Sequence, residues 1–279
     1  MSRIAIISDI HSNVPAMNAV LRDIEKKNID YIYCLGDMIG KGPSPAEVIE
    51  LCKDYCDITI LGNWEDFLLQ NDIDEDPIAY YRQNIPYHQL DYLNSLGYLI
   101  EFYLSGRLVR LFHAHSNNIY RRVYDNSNLE IHCEMFEPPV EFNTGFEQDS
   151  DIAFYGDVHY SFQINYNEDF YAAYFQRLQK EKEISYTQFL EQYAKQIERM
   201  KNKKLINVGS VGQPFDGVLA TYAILEGKLH SKEKSDYQIE IVKIPYNNQE
   251  AARIALASTM YDKKEYAREI LTGIFRGFE

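Results

Sequence analysis

The stretch Arg3-Ile4-Ala5-Ile6-Ile7-Ser8-Asp9-Ile10-His11 decides the fold. Its first five residues form a short apolar run that reads as a buried strand. The run stops at Ser8, and Asp9 and His11 follow in an irregular loop where two ligand-type side chains can converge. Downstream, Met17, Val20, Leu21 and Ile24 recur at i, i+3, i+4 and i+7, which predicts a helix with one core face from about Val14 to Lys27. The pattern then repeats. Tyr31–Leu35 reads as a second strand, and Ser44-Pro45-Ala46-Glu47 has capping-box spacing with proline at the first helical position. Asp57–Leu61 reads as a third strand, with a short helix from Trp64. Such alternation is that of an α/β chain with helices on the faces of a sheet.

Working outward, the sequence predicts a helix over about Asp76–Ser95, ended by Gly97, and two strands at Tyr98–Leu104 and Arg107–Phe112. Further strands fall at Ile152–Tyr155, Leu205–Val208, Leu219–Leu225 and Tyr237–Ile244, with a last helix over roughly Gln249–Ile270. Between them, residues 116–149 are polar, contain Pro138-Pro139 and read as an irregular excursion. Residues 167–204 read as a helical insertion whose packed face is Leu190, Tyr193, Ala194 and Ile197. Loops this long are uncommon unless they serve a function. With no internal repeat and no flexible linker, residues 1–279 read as one domain with two insertions.

Composition limits the function. The chain carries 28 Lys and Arg against 42 Asp and Glu, a net charge of −14. That excludes a nucleic-acid coat or an anionic membrane surface as the main partner, because such binding rests on clustered cations. No apolar run approaches the roughly 20 residues that span a bilayer, and the first is too short for a signal-peptide core. A cytoplasmic protein is therefore expected. The four cysteines, Cys34, Cys52, Cys56 and Cys133, lack zinc-type pairing and are expected to be reduced.

The chemistry lies just past the strands. Asp9 and His11 follow the first strand, Gly36-Asp37 the second and Gly62-Asn63 the third. His113 follows Phe112, and Gly156-Asp157-Val158-His159 follows Tyr155. In open α/β sheets ligands bind at that edge. Carboxylate oxygen combined with imidazole nitrogen suits zinc, manganese, iron or cobalt better than calcium. Two such cations about 3.5–4 Å apart lower the pKa of water and clamp phosphoryl oxygens during in-line attack. They also let an acidic protein hold phosphate, because the ions supply the positive potential.

The order Asp-x-His, Gly-Asp, Gly-Asn, His, Gly-x-x-His resembles the calcineurin-like metallophosphoesterases. Asn207-Val208-Gly209-Ser210-Val211-Gly212-Gln213-Pro214 resembles the closing segment of their small bacterial phosphodiesterase branch, asymmetric diadenosine tetraphosphate hydrolases included. The resemblance implies a four-layer α/β/β/α sandwich with two metal ions at the strand ends. Asp9, His11 and His159 would hold one ion, Asn63, His113 and Asp157 the other, and Asp37 would bridge them. It implies a phosphoesterase acting on phosphodiesters or nucleoside polyphosphates, with Asp37, Asn63 and His113 at its catalytic centre. Asymmetric cleavage of diadenosine tetraphosphate is the sharpest expectation. A protein serine/threonine phosphatase, or a non-catalytic scaffold on the same fold, is the alternative.

Two positions depart from the family pattern. Trp64 follows Asn63 where many members have histidine, which removes a proton donor and favours leaving groups that need none. Asp157 stands where the family usually has histidine, and the extra carboxylate favours manganese or iron over zinc. Around these residues, Asn13, His115, Arg121 and Arg122 are candidate substrate contacts: His115 by alternation with His113, Asn13 by its place in the first loop, the arginines for distal phosphates. Tyr120, Tyr124, Tyr160 and Tyr166 lie near the site in sequence, although core packing accounts for most of the 23 tyrosines.

Overall fold

The computed structural model describes residues 1–70, 78–140 and 145–276. The first part of the chain supplies β1 (Ser2–Ile7), α1 (Val14–Lys26), β2 (Tyr31–Cys34), α2 (Pro45–Tyr55), β3 (Ile58–Thr59), α3 (Asn63–Leu69), α4 (Ile78–Asn84) and α5 (Tyr87–Asn94). The next part supplies β4 (Leu99–Leu104), β5 (Arg107–Phe112), α6 (Leu129–Glu134), β6 (Ile152–Tyr155), β7 (Ser161–Asn165), α7 (Glu168–Lys182), α8 (Tyr186–Met200) and β8 (Lys204–Val208). The chain then returns through β9 (Ala220–Gly227) and β10 (Gln238–Ile244) and closes with α9 (Asn248–Ala257) and α10 (Lys263–Thr272). Among the described residues two five-stranded sheets result, in the orders β10-β9-β1-β2-β3 and β4-β5-β6-β8-β7. β1 runs parallel to β2 with Ile4 opposite Tyr31, and β5 parallel to β6 with Val109 opposite Ile152.

Strand alternation sorts the core into layers, because successive side chains point to opposite faces. Ile4 and Ile6 enter the cluster between the sheets with Phe102, Val109, Phe154 and Ile206. Ala5 and Ile7 face the other way and pack with Met17 and Val20 of α1 and Val48 of α2. On the far side, Phe112, Tyr155 and Leu205 of the second sheet meet Leu129, Tyr174, Phe189 and Tyr193 from α6, α7 and α8. The layers are thus α/β/β/α. The two excursions supply the fourth layer. Fully buried Arg110 ties the first of them down: it pairs with Glu101 at 2.7 Å and donates to the carbonyls of Phe136, Glu137 and Gln148.

Several expectations need correction. Residues 116–149 are not wholly irregular, since α6 lies within them and is capped by the Asn128 side chain; residues 141–144 lie outside the described residues. In α8 the buried face is Phe189, Tyr193 and Met200, with Leu190 39% exposed, because the aromatic rings bury more surface against α7 and the sheet. The helix expected over 76–95 is two helices separated at Pro86, whose ring cannot sit inside a helix; residues 71–77 lie outside the described residues. The last helix likewise divides at residues 258–262, where Asp262 takes a left-handed backbone. Ser44 precedes α2 but makes no side-chain cap. β7 was not expected at all. All four cysteines are free, and no helix among the described residues is long and apolar enough to cross a membrane.

Candidate metal centre

The seven expected ligands sit where their strands end. β1, β2 and β3 lead into Asp9, His11, Asp37 and Asn63, while β5 and β6 lead into His113, Asp157 and His159. The chain turns sharply to bring them inward: Asp9, His11, Asp37, Asp157 and His159 have φ between 47° and 65°. Few side chains adopt that conformation, Asp, Asn and His more often than others, and each instance costs about 1–3 kcal/mol. Five ligand candidates therefore carry local backbone strain. The loops interlock closely around them: Asp9 N–H donates to the Gly36 carbonyl, His11 N–H to that of Asp37 and Ser12 N–H to that of Met38.

Among the described residues two buried groups of potential ligand atoms result, Asp9-His11-His159 and Asp9-Asp37-His113, each with its atoms within 4.8 Å of one another. Asp9 belongs to both. Its Oδ1 lies 3.3 Å from His159 Nε2 and 3.7 Å from His11 Nε2, and its Oδ2 accepts the Asp157 N–H at 3.0 Å. Asp37 spans the groups, with Oδ2 3.7 Å from His11 Nε2 and Oδ1 3.5 Å from His113 Nε2. Asp157 Oδ1 stands 4.0 Å from His113 Nε2. Asn63 opens α3 beside Trp64, whose backbone N–H donates to Asp37 Oδ1 at 2.9 Å.

The histidines are aimed by main-chain oxygens. The Nδ1 atoms of His11, His113 and His159 lie 3.0, 2.9 and 2.6 Å from the carbonyls of Ile39, Leu35 and Gln213. A carbonyl only accepts, so each Nδ1 carries a proton, and in the neutral form of the ring Nε2 is the lone-pair donor. His11 Nε2 and His159 Nε2 face each other at 3.0 Å. Two lone pairs in that arrangement repel unless a cation lies between them or beside them. Burial pulls the pKa of both rings down, which keeps them neutral. For His113 burial acts the same way, but Asp37 and Asp9 outweigh it and raise the ring. Burial alone would raise Asp9; His159 and the other imidazoles hold it well below the usual carboxylate range. Asp157 is pushed up to about 6, mainly by burial.

Unpaired atoms mark the same place. Asp9 Oδ1, Asn63 Oδ1, His113 Nε2 and Asp157 Oδ2 are buried without a hydrogen-bond partner. Leaving such groups unsatisfied is costly, and all four are hard or borderline electron-pair donors. The donor set therefore fits transition-metal cations.

Residues not anticipated as functional hold the loops. Buried Glu65 accepts N–H bonds from Asp37 (2.8 Å), Ile39 (3.0 Å) and Gly62 (2.9 Å), joining the Asp37 loop to the start of α3. Burial and the Asp37 charge push its carboxyl up to about 8. Its signal in the sequence is an acid three residues after a glycine that ends a strand. Trp64 fills the space over Gly40 and meets His11 edge-on at 6.3 Å, so it walls the site. Gly156 is equally constrained: a Cβ there would lie 2.1 Å from Ser8 Oγ and 2.3 Å from Asp9 Oδ2. Gly156→Ala is expected to push Asp9 aside and weaken metal binding about 10–100-fold, the range for disturbed supporting shells. Chelator competition on the purified variant measures it.

The expected substrate contacts divide. The Asn13 amide is engaged by other partners: Oδ1 caps α1 at the Ala16 N–H and Nδ2 donates to the Gly212 carbonyl. His115 is also spent elsewhere: Nε2 meets Glu134 at 3.1 Å and Nδ1 accepts the Asn117 N–H. Arg121 pairs with the same Glu134 at 2.5 Å. Arg122 reaches the centre, with Nε 3.8 Å from Asp157 Oδ2. Lys41, missed in the sequence although it lies between two glycines just past Asp37, lines the adjoining cleft of about 180 Å³ with Arg122, Asp157 and Phe215. A larger cleft, about 730 Å³, opens where β5 and β8 begin, at the opposite strand ends.

Two packed sheets with paired carboxylate–imidazole groups at the strand ends suit a metal-dependent phosphoesterase, and known proteins point the same way. The chain belongs to the calcineurin-like phosphoesterase family, whose match covers residues 2–141. It is 32% identical over 260 residues, 90% of each chain, to the uncharacterized protein MJ0912 of Methanocaldococcus jannaschii. Its fold is similar to that of a metallophosphoesterase from Sphaerobacter thermophilus, with TM-score 0.68, 22% identity, and 98% of this chain and 99% of that one covered. It is also similar to hypothetical protein PH1004 from Pyrococcus horikoshii OT3, with TM-score 0.65, 15% identity, and 99% and 100% covered.

Proposed function

We propose that this protein is a binuclear metal-dependent phosphodiesterase or nucleoside-polyphosphate hydrolase, with asymmetric cleavage of diadenosine tetraphosphate its most specific candidate reaction. The observation that carries this reading is the set of three buried imidazoles, each tethered through Nδ1 to a carbonyl and each presenting Nε2 toward Asp9 or Asp37. Asp9, His11 and His159 would hold one ion, and Asn63, His113 and Asp157 the other, with Asp37 between. Asp9 is placed to serve both, since it belongs to both ligand groups. Bound ions supply Lewis acidity to phosphoryl oxygens and lower the pKa of water. The additional carboxylate of Asp157 favours manganese or iron.

The chain's own residues set the rest. The carbonyls of Leu35, Ile39 and Gln213 fix ring orientation, so no reorganisation is needed when charge develops. The Trp64 indole packs at the wall and offers no transferable proton, so the leaving group must depart unassisted. A nucleotide phosphate, with a second pKa near 6, does so; the alkoxide of a serine does not. This weighs against a protein phosphatase. The unpaired donor atoms weigh against a scaffold whose site has decayed.

The test is a substrate panel with manganese. Dinucleoside polyphosphates and bis(p-nitrophenyl) phosphate are expected to turn over at least about 100-fold faster than a phosphoserine peptide, a rate ratio equivalent to ~2.7 kcal/mol of barrier. A chelator is expected to abolish activity, and added manganese to restore it. Equal rates on the phosphopeptide would overturn the specificity, and chelator-resistant turnover the mechanism.

A further inference from the structure

We propose that Lys41, Arg122 and the aromatic wall of Phe215, Phe275 and Tyr160 form a subsite for a nucleoside phosphate, the two cations taking a phosphate group and the rings taking the base. The proposal rests on the hydrolase reading above and deepens it. The cleft adjoins the candidate metal centre directly, because Asp157 and Val158 line it and the Phe215 ring stacks on His159 at 4.8 Å with planes 13° apart. Phe275 and Tyr160 each pack against Phe215, at 5.0 Å and 6.1 Å, so the lining holds three rings in contact.

Charge points the same way. The protein is strongly acidic, yet two cations border this cleft. Lys41 Nζ stands 6.0 Å from the Phe215 ring centre, and Arg122 lies beside an otherwise unpaired oxygen of Asp157 with half its side chain exposed. Arginine and lysine together suit a phosphate: one offers a planar fork, the other a mobile point charge. Phosphate alone does not call for rings. A base gains binding by stacking on aromatic side chains, and every base has a face that can use it. Beyond Tyr124 and Tyr160, which line both spaces, a groove of about 500 Å³ continues past Phe162 and gives room for the remainder of an extended substrate.

The test is direct binding to the manganese-loaded protein, with metal content measured for every variant. Adenosine 5′-monophosphate is expected to bind at least about 10-fold more tightly than ribose 5-phosphate, the lower end of one stacking interaction. Phe275→Leu is expected to shrink that ratio several-fold while ribose 5-phosphate binding holds. Lys41→Met and Arg122→Ala are each expected to weaken both ligands about 10-fold or more. Equal binding of the two ligands, or unchanged binding in both cation variants, overturns the subsite. Hydrolysis of bis(p-nitrophenyl) phosphate by the same preparation separates the two levels: if it is missing, the hydrolase reading falls; if it is present with equal ligand binding, the subsite alone falls.

Discussion

Replacing Asp9 by asparagine is expected to lower kcat/KM at least a thousandfold, roughly 4 kcal/mol of transition-state stabilisation, and to reduce bound manganese from about two equivalents per chain to less than one. Among the described residues, Asp9 stands in both ligand groups. Its Oδ1 faces His11 and His159, and its Oδ2 holds the Asp157 N–H, so one carboxylate helps define both halves of the centre. Asparagine keeps the shape but loses the charge. Either its amide nitrogen opposes the Asp157 N–H, or it turns toward the imidazoles and offers them no anion. Metal analysis with a thermal melt separates the effect from unfolding. A variant that keeps two equivalents and full turnover would remove Asp9 from the proposed cage.

Glu65→Ala is expected to produce the largest loss of stability, about 4 kcal/mol, seen as a fall in Tm of ~10 °C. Three buried N–H groups, those of Asp37, Ile39 and Gly62, lose their acceptor at once. Each unsatisfied group costs about 1–3 kcal/mol, and water entering the space recovers part of it. Activity should fall as well, because the freed segment carries Asp37 and the Ile39 carbonyl that aims His11. Glu65→Gln retains one acceptor oxygen and is expected to recover about half of the stability. Calorimetric melts of both variants check this. An alanine variant that melts with the wild type would show that the three bonds hold nothing together.

Local signals were easy to read in this chain and tertiary ones were not. Ile4–Ile7 and Ile152–Tyr155 are uninterrupted apolar runs with a ligand-type residue two positions further on, so both strand and site residue announce themselves locally. The roles of Glu65 and Lys41 depend on loops that meet only after the sheet has formed. β7 is an edge strand of five residues, and although Phe162 and Ile164 alternate with polar neighbours, so short a run stands out little beside the polar excursion that follows. The face of α8 followed the bulk of Phe189 and Tyr193 rather than the spacing of Leu190 and Ala194. Asn13, His115 and Arg121 were plausible by residue type, but type does not say which neighbour will claim a side chain's hydrogen bonds.

The carbonyl tethers of the three imidazoles have a consequence for how this protein can diverge. Main-chain oxygens persist whatever residue bears them, so exchanging the side chain of Leu35, Ile39 or Gln213 leaves the acceptor itself in place. Lys41, Arg122 and Phe275 contribute nothing to those tethers. Descendants can therefore rewrite the lining of the neighbouring cleft by ordinary point changes, while the aim of the imidazoles is inherited intact.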